Sequence, residues 1–218
     1  MKHGRIIVIE GLDGSGKYTQ SKILFDKFCI LRKKAKIISM PNYSSLSSGP
    51  VKMYLNSQIA KNPFEINAFA SASFFAVDRF INYICSWKKY YLKENYTIIC
   101  DRYVTSNMIY QLAKLDYKNW DNFLDWLCDY EYNKLKIPKP DEVIYLKLPI
   151  EISQKLIKSR NESCDLHENN LAFFNLCSKT AEYSAKKFNW HVIDCSEDGI
   201  NIDPLHKISA KIFEILKI

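Results

Sequence analysis

Short apolar runs alternate along the chain with longer segments in which apolar residues recur at helical spacing. Residues 6–9 form an apolar run that is followed by a glycine-rich turn and a helical pattern from Lys17 to about Arg32. Further apolar runs, the first of them stopped by Pro41, predict strands at 36–40, 97–101, 142–147 and 190–195.

Helical patterns separate these strands. They predict a short helix near 51–56, a long helix at about 67–95, helical segments at 106–114 and 119–135, a helix opened by Pro149 and interrupted by a polar stretch at 160–170, and a terminal helix at 204–216. This alternation predicts a three-layer α/β fold, a single domain over 1–218 with a mainly parallel five-stranded sheet flanked by helices. Ligands of such folds bind beyond the carboxyl ends of the strands.

The composition limits the classes of protein to which the chain can belong. The chain has 218 residues, 47% of them hydrophobic, which suffices for one sizeable core. It lacks the run of about 20 apolar residues that a membrane span needs, and residues 1–4 lead straight into a strand, so a cytoplasmic protein is expected. Seven scattered cysteines agree with buried thiols in a reducing compartment. The net charge of +7 is spread over helix faces and fits anionic small substrates, so no nucleic-acid partner is expected.

The turn after the first strand carries a phosphate-binding motif. Residues 11–17 read GLDGSGK, which matches GxxxxGK directly after a strand and before a helix. Backbone N–H groups of such a loop converge on phosphate oxygens, and Lys17 reaches the β and γ phosphates, so ATP or GTP is the expected ligand. The predicted nucleotide-binding residues are Gly11, Asp13, Gly14, Ser15, Gly16, Lys17, Tyr18 and Thr19.

Tyr18 departs from the motif, because Ser or Thr at this position places a hydroxyl on Mg²⁺. Thr19 is no simple substitute, since one helical step rotates its side chain by about 100°. We therefore expect Mg²⁺ to be held by phosphates, waters and Asp101 through water, with Tyr18 packed outward. A loop that binds nucleotide but catalyses weakly or not at all is the alternative.

Residues 101–111 read DRYVTSNMIYQ and follow a buried strand. From its position, Asp101 can orient the Mg²⁺ shell, and Arg102 can balance charge on a transferring phosphoryl group. This run resembles the signature of the thymidylate kinase family, and the resemblance extends from the phosphate loop through Phe75 and Arg79 to residues 189–194. It implies a P-loop NTPase fold with a short lid, ATP and Mg²⁺, transfer of the γ-phosphoryl group to dTMP in dTTP synthesis, and a homodimer formed through the long helix.

Phe75 and Arg79 lie four residues apart and share one helix face, with a rise of about 6 Å between them. That spacing suits a ring that stacks on a base and a guanidinium that binds its 5′-phosphate. The residues alone favour Phe75 as a core side chain, because Phe69 and Phe74 lie nearby. The resemblance implies the base-stacking role.

The resemblance also assigns the residues that contact the sugar and the edge of the base. Asp13 is expected to accept a hydrogen bond from the 3′-hydroxyl, Asn107 to pair with thymine, and Tyr110 to disfavour ribose at the 2′-carbon. From the residues alone, an Asn107 helix cap is an equal alternative. The predicted dTMP-binding residues are Asp13, Phe75, Arg79, Arg102, Ser106, Asn107 and Tyr110.

Two further departures concern arginines. Many family members have an Arg at the position of Tyr43, and some carry a catalytic Arg where this chain has Gly14. The lid, about 158–170, is therefore expected to supply that charge through Arg160, supported by Lys158. His167 shows no partner in the sequence and receives no chemical role.

The predicted catalytic residues are Lys17, Asp101, Arg102 and Arg160. No general base is needed, because the acceptor phosphate is already nucleophilic at neutral pH. Two alternatives share the phosphate loop: a deoxynucleoside kinase, against which Arg79 argues, and a catalytically silent nucleotide-binding protein. A nucleic-acid-binding module rests on the +7 charge alone.

Overall fold

The computed structural model describes residues 3–159, 165–168 and 170–218. Its strands are β1 (Arg5–Gly11), β2 (Lys34–Ser39), β3 (Tyr96–Asp101), β4 (Glu142–Lys147) and β5 (His191–Asp194). In this part of the chain they form one parallel five-stranded sheet in the order β2-β3-β1-β4-β5. Helices cover both faces, so the predicted three-layer α/β architecture is confirmed.

One or more helices follow each strand. They are α1 (Lys17–Ile30), α2 (Gly49–Leu55), α3 (Ala68–Asn82), α4 (Lys88–Tyr91), α5 (Val104–Tyr110), α6 (Trp120–Cys128), α7 (Ile150–Lys158), α8 (Leu171–Lys187) and α9 (Leu205–Leu216). A π-helical turn (Tyr83–Trp87) joins α3 to α4, and another (Asp129–Lys134) extends α6. None of the helices within the described ranges is long and apolar enough to cross a membrane.

Alternate residues of the central strands pack into separate hydrophobic clusters on the two sheet faces. Ile6 and Val8 face a cluster that includes residues of α3, α5, α6 and α8. Ile7 and Ile9 face the other, which includes residues of α1, α7 and α9. Burial on both faces explains the continuous apolar runs, which are typical of parallel sheets.

Beyond the carboxyl ends of β1 and β3 the sheet presents a crevice. The two strands are neighbours, and Ile9 lies opposite Asp101. The helices that follow them, α1 and α5, pack on opposite faces of the sheet. In open α/β sheets ligands bind at the point where the helices after two neighbouring strands pass to opposite faces of the sheet.

The predicted and observed ends of a few helices and strands differ. The long helix begins as predicted, with the Asn67 side chain accepting from the Ala70 N–H at 2.9 Å. It ends at Tyr91, because Asn95 adopts a left-handed φ of 61° that turns the chain into β3. Strand β2 begins at Lys34 rather than Lys36, since its first residues pair with β3.

Candidate active site

The phosphate loop joins β1 to α1 and is held against α7. The Ser153 hydroxyl donates to the Asp13 carbonyl at 2.7 Å. Gly14 has a φ of 83°, and a Cβ there would lie 2.6 Å from the Ser153 carbonyl oxygen. The backbone of α7 therefore leaves no room for a side chain at residue 14, which explains physically why this loop carries no arginine there.

Lys17 lies inside the loop and is 6% exposed. Its ammonium donates to the Leu12 carbonyl at 2.7 Å. Burial, reinforced by the nearby Arg102 guanidinium, lowers the pKa of Lys17 to about 8. Phosphate oxygens placed at this amine would restore its charged form.

Arg102 follows β3 in a left-handed conformation, with a φ of 66°. Its guanidinium binds the Asp13 carboxylate, donates to the Tyr110 hydroxyl at 3.3 Å and lies 3.8 Å from Glu10. Tyr110 in turn donates to Asp13 at 2.8 Å. Burial alone would raise the pKa of Asp13, but Arg102 and Lys17 hold that pKa well below its usual range. Asp13 is therefore an ionised acceptor at neutral pH.

Glu10 is a site residue that the sequence reasoning missed. It is fully buried at the end of β1 and accepts from the Thr105 and Ser106 hydroxyls at 2.6 and 2.9 Å and from the Gly11 N–H at 3.0 Å. The predicted ligand Ser106 thus donates its hydroxyl proton to Glu10. A carboxylate at the end of an apolar strand, directly before the phosphate loop, was the signal that could have found it.

Asp101 lies beside this network. Its Oδ1 atom is buried and has no hydrogen-bond partner among the described residues, and the same holds for Ser15 Oγ. An unpaired buried carboxylate oxygen at the mouth of a phosphate loop fits a hydrated divalent cation. Within the described ranges no group of three His, Cys, Asp or Glu side chains could hold a metal by itself.

A cavity of about 480 Å³ extends from Arg102 towards α2 and α3. The predicted ligands Phe75, Arg79, Ser106, Asn107 and Tyr110 all line it. A second pocket contains Gly16, Lys17 and Thr19 of the phosphate loop. Four residues line both pockets, namely Asp13, Tyr18, Asp101 and Arg102.

Behind the cavity wall formed by Arg79 and Asn107 lies a second buried carboxylate that the sequence reasoning missed. Glu131 is fully buried and accepts from Arg79 Nε at 2.7 Å and Nη2 at 3.2 Å. It also accepts from the Asn107 amide at 2.9 Å, while the second amide proton goes to the Ala72 carbonyl at 3.1 Å. Arg79 and Asn107 are therefore neighbours, and both donor groups of the Asn107 amide are already used.

The mouth of the cleft carries the residues that depart from the family pattern. Tyr18 and Tyr43 line the cavity with exposed fractions of 61% and 53%, which agrees with the prediction that Tyr18 packs outward. Lys158 is exposed at the end of α7. The predicted catalytic Arg160 lies outside the described residues.

His167 has partners that the sequence did not reveal. Its Nε2 atom lies 3.0 Å from the Tyr54 hydroxyl, and its ring stacks on Tyr110 with centroids 5.2 Å apart. Burial lowers the pKa of His167 to about 3, with help from Lys114. The sequence-based view that His167 stands alone is wrong, because its partners come from α2 and α5.

Comparisons with known proteins agree with this geometry. The family profile described as thymidylate kinase matches residues 9–202. A probable thymidylate kinase of Pyrococcus horikoshii is 34% identical over 158 residues, which cover 72% of this chain and 71% of that protein. The Homo sapiens thymidylate kinase is 26% identical, with 94% of this chain and 88% of that protein covered. A solved thymidylate kinase structure from Candida albicans has a TM-score of 0.70 and 25% identity, covering 99% of this chain and 92% of that one.

Proposed function

The chain belongs to the thymidylate kinase family, and we propose that its cleft transfers the γ-phosphoryl group of ATP to the 5′-phosphate of dTMP, giving dTDP and ADP. One observation carries the proposal: the phosphate-loop pocket and the acceptor cavity meet at Asp13, Tyr18, Asp101 and Arg102. Two phosphates bound on either side of this border would face each other across Arg102. Positioning of this kind, with charge balance, is what phosphoryl transfer requires.

On the donor side, the loop N–H groups and Lys17 hold the ATP phosphates. The buried Lys17 ammonium exchanges the Leu12 carbonyl, at 2.7 Å, for phosphate oxygens. Arg102 balances the charge that develops on the transferring group, and its position beside Asp13 and Glu10 fixes its direction. Asp101 Oδ1 would hold Mg²⁺ through water, and the ion supplies charge neutralisation at the β and γ oxygens when bound.

On the acceptor side, Phe75 lies at the cavity wall and contacts the Tyr54 ring edge-on, with centroids 6.4 Å apart. Its remaining surface supports stacking on a base. Because both amide protons of Asn107 are used, its Oδ1 atom accepts from a base N–H, as thymine N3 provides. Arg79 Nη1, which has no hydrogen-bond partner in the described part of the chain, supports donation to a carbonyl oxygen of the same base.

This placement modifies the role expected for Arg79. The sequence suggested that it binds the 5′-phosphate, whereas its pairing with Glu131 next to Asn107 supports a place at the base. Arg102 then carries the acceptor phosphate, with Ser106 nearby. Asp13 accepts from the 3′-hydroxyl, and Tyr110 borders the 2′-carbon, as the family resemblance implies.

The proposal also assigns the lid charge, the oligomeric state and the location. We place the catalytic lid charge on Arg160, supported by Lys158. A homodimer is supported by an apolar stripe on the long helix, where Phe69, Val77, Ile81 and Ile84 are each at least 37% exposed. An Ile81→Lys variant that sedimented like the wild type would contradict that interface.

Free cysteines in the described residues support a cytoplasmic location, and we propose no nucleic-acid partner.

A coupled ADP-release assay with ATP and Mg²⁺ tests the proposed reaction. We expect turnover with dTMP, little with thymidine and none without acceptor. Lys17→Met should abolish turnover, whereas Lys22→Met, at an exposed position of the same helix, should leave it unchanged. Faster turnover of thymidine than of dTMP would contradict the proposal, and so would silence with every acceptor.

A further inference from the structure

A chain of contacts connects the turn at residues 165–168 to the sugar end of the cleft. The turn is held by its own hydrogen bonds, since Asp165 Oδ1 accepts from the N–H groups of His167 and Glu168 at 2.8 and 2.9 Å. The Leu166 N–H donates to the Leu55 carbonyl at 3.0 Å, and the Leu166 side chain is buried against α2. The turn is therefore docked on the helix that borders the cavity.

His167 enters the cleft from this turn. It is 5% exposed, lines the cavity and stacks on Tyr110, with an angle of 14° between the ring planes. Tyr110 is the residue whose hydroxyl donates to Asp13 at 2.8 Å and accepts from Arg102 at 3.3 Å. The imidazole thus contacts the ring that joins the sugar end of the cleft to the phosphate end.

Tyr54 and Lys114 hold the His167 imidazole through hydrogen bonds. The Lys114 amine donates to the Tyr54 hydroxyl at 2.8 Å, to Ser71 Oγ at 2.8 Å and to the Ile66 carbonyl at 3.2 Å. Tyr54 accepts from Lys114, and its hydroxyl is hydrogen-bonded to His167 Nε2 at 3.0 Å. Tyr54 and Lys114 therefore anchor the Nε2 edge of an imidazole whose plane lies against Tyr110.

We propose that His167 is a positioning residue that sets selectivity against a 2′-hydroxyl by holding the Tyr110 ring in place. The proposal rests on the proposed function, in which Tyr110 borders the 2′-carbon of dTMP. A ring that cannot tilt leaves no room for a ribose hydroxyl and no partner for it. Without the imidazole, Tyr110 keeps its hydroxyl contacts and the Arg102 guanidinium, 5.4 Å from its ring centroid, but loses the stacked imidazole that restrains its tilt.

The test compares dTMP with 5-methyluridine 5′-monophosphate, which differs only by the 2′-hydroxyl. We expect His167→Gln, which offers Tyr54 an acceptor but no ring, to reduce the ratio of the two kcat/KM values by about tenfold. His167→Phe restores the ring and should keep the ratio within about threefold of the wild type. His206→Gln, at an exposed position on α9, is the matched control and should leave the ratio unchanged.

Several results would overturn the proposal. An unchanged ratio in a folded His167→Gln variant would do so, whether or not its thermal midpoint falls, because a merely structural role lowers stability without changing selectivity. Equal losses in the Gln and Phe variants would do so as well. If the wild type does not turn over dTMP, the proposed function fails by itself. Calorimetric affinities of the wild type and of His167→Gln for the two monophosphates then test the role of His167. A wild type that binds both monophosphates equally would contradict that role.

Discussion

Arg79 and Glu131 form a two-point ion pair beneath the acceptor cavity, with Nε and Nη2 donating to the two carboxylate oxygens at 2.7 and 3.2 Å. The side chains are 3% and 0% exposed. Nothing in the spacing of two residues 52 positions apart indicates the pair. Its burial next to Asn107 links the stability of the protein to recognition of the base.

Removing Glu131 should therefore destabilise the protein. Glu131→Ala leaves the buried Arg79 charge unpaired and the Asn107 amide short of an acceptor, at a cost of about 3–5 kcal/mol in the free energy of unfolding. Urea unfolding measures this. The control is Glu142→Ala, which breaks partly exposed contacts with Arg5 and His191 and should cost less than about 1 kcal/mol. Equal costs would show that the buried pair is no more important than the surface one.

The acceptor atom of Asn107 should make the enzyme prefer thymine to cytosine as the base. Its Oδ1 atom can accept from thymine N3–H, whereas cytosine has no proton at N3 and would leave two acceptors facing each other. We expect kcat/KM for dCMP to be at least about 100-fold below that for dTMP. Steady-state assays with both monophosphates check this, and comparable values would mean that the amide does not read the base.

Tyr18 should make the enzyme dependent on high Mg²⁺. It occupies the position from which Ser or Thr contributes a hydroxyl, and Asp101 Oδ1 is an unpaired buried oxygen that can support the ion through water. Tyr18→Ser should lower the Mg²⁺ concentration for half-maximal activity by several-fold. Tyr117→Ser removes a similarly exposed ring outside the cleft and should not change it. The idea fails if a Mg²⁺ titration gives the same midpoint for Tyr18→Ser and wild type.

Protonation of His167 in acid should destabilise the fold, against the opposite effect of Asp165, whose pKa burial raises to about 7. Burial, Lys114 and Arg102 lower the pKa of His167 from 6.5 to about 3, and Asp13 only partly opposes them. Between these values the unfolded chain binds a proton that the folded protein does not, so the contribution of His167 to the free energy of unfolding falls as pH falls through this window. The slope contributed is at most about 1.4 kcal/mol per pH unit. Urea unfolding at pH 7 and pH 5 should show a smaller loss for His167→Gln; an identical loss would contradict this account.

Much of the fold was predictable from local patterns. The apolar runs predicted every strand to within two residues, because parallel strands buried on both faces are continuously hydrophobic. The Asn67 cap marked the start of the long helix. Its end was misplaced because the left-handed turn at Asn95 depends on how the chain enters β3.

The sequence by itself determined the sheet, the phosphate loop and several of the residues that line the cleft, since short-range spacing and one contiguous run encode them. Only the tertiary structure decided what those residues contact. Glu10, Glu131 and Tyr54 lie far along the chain from the partners they bind, and the pairing of buried polar groups depends on which elements pack together. That pairing committed the Asn107 donors, tied His167 to Tyr54 and placed Arg79 beside Asn107, because each buried donor or acceptor must find a partner within reach.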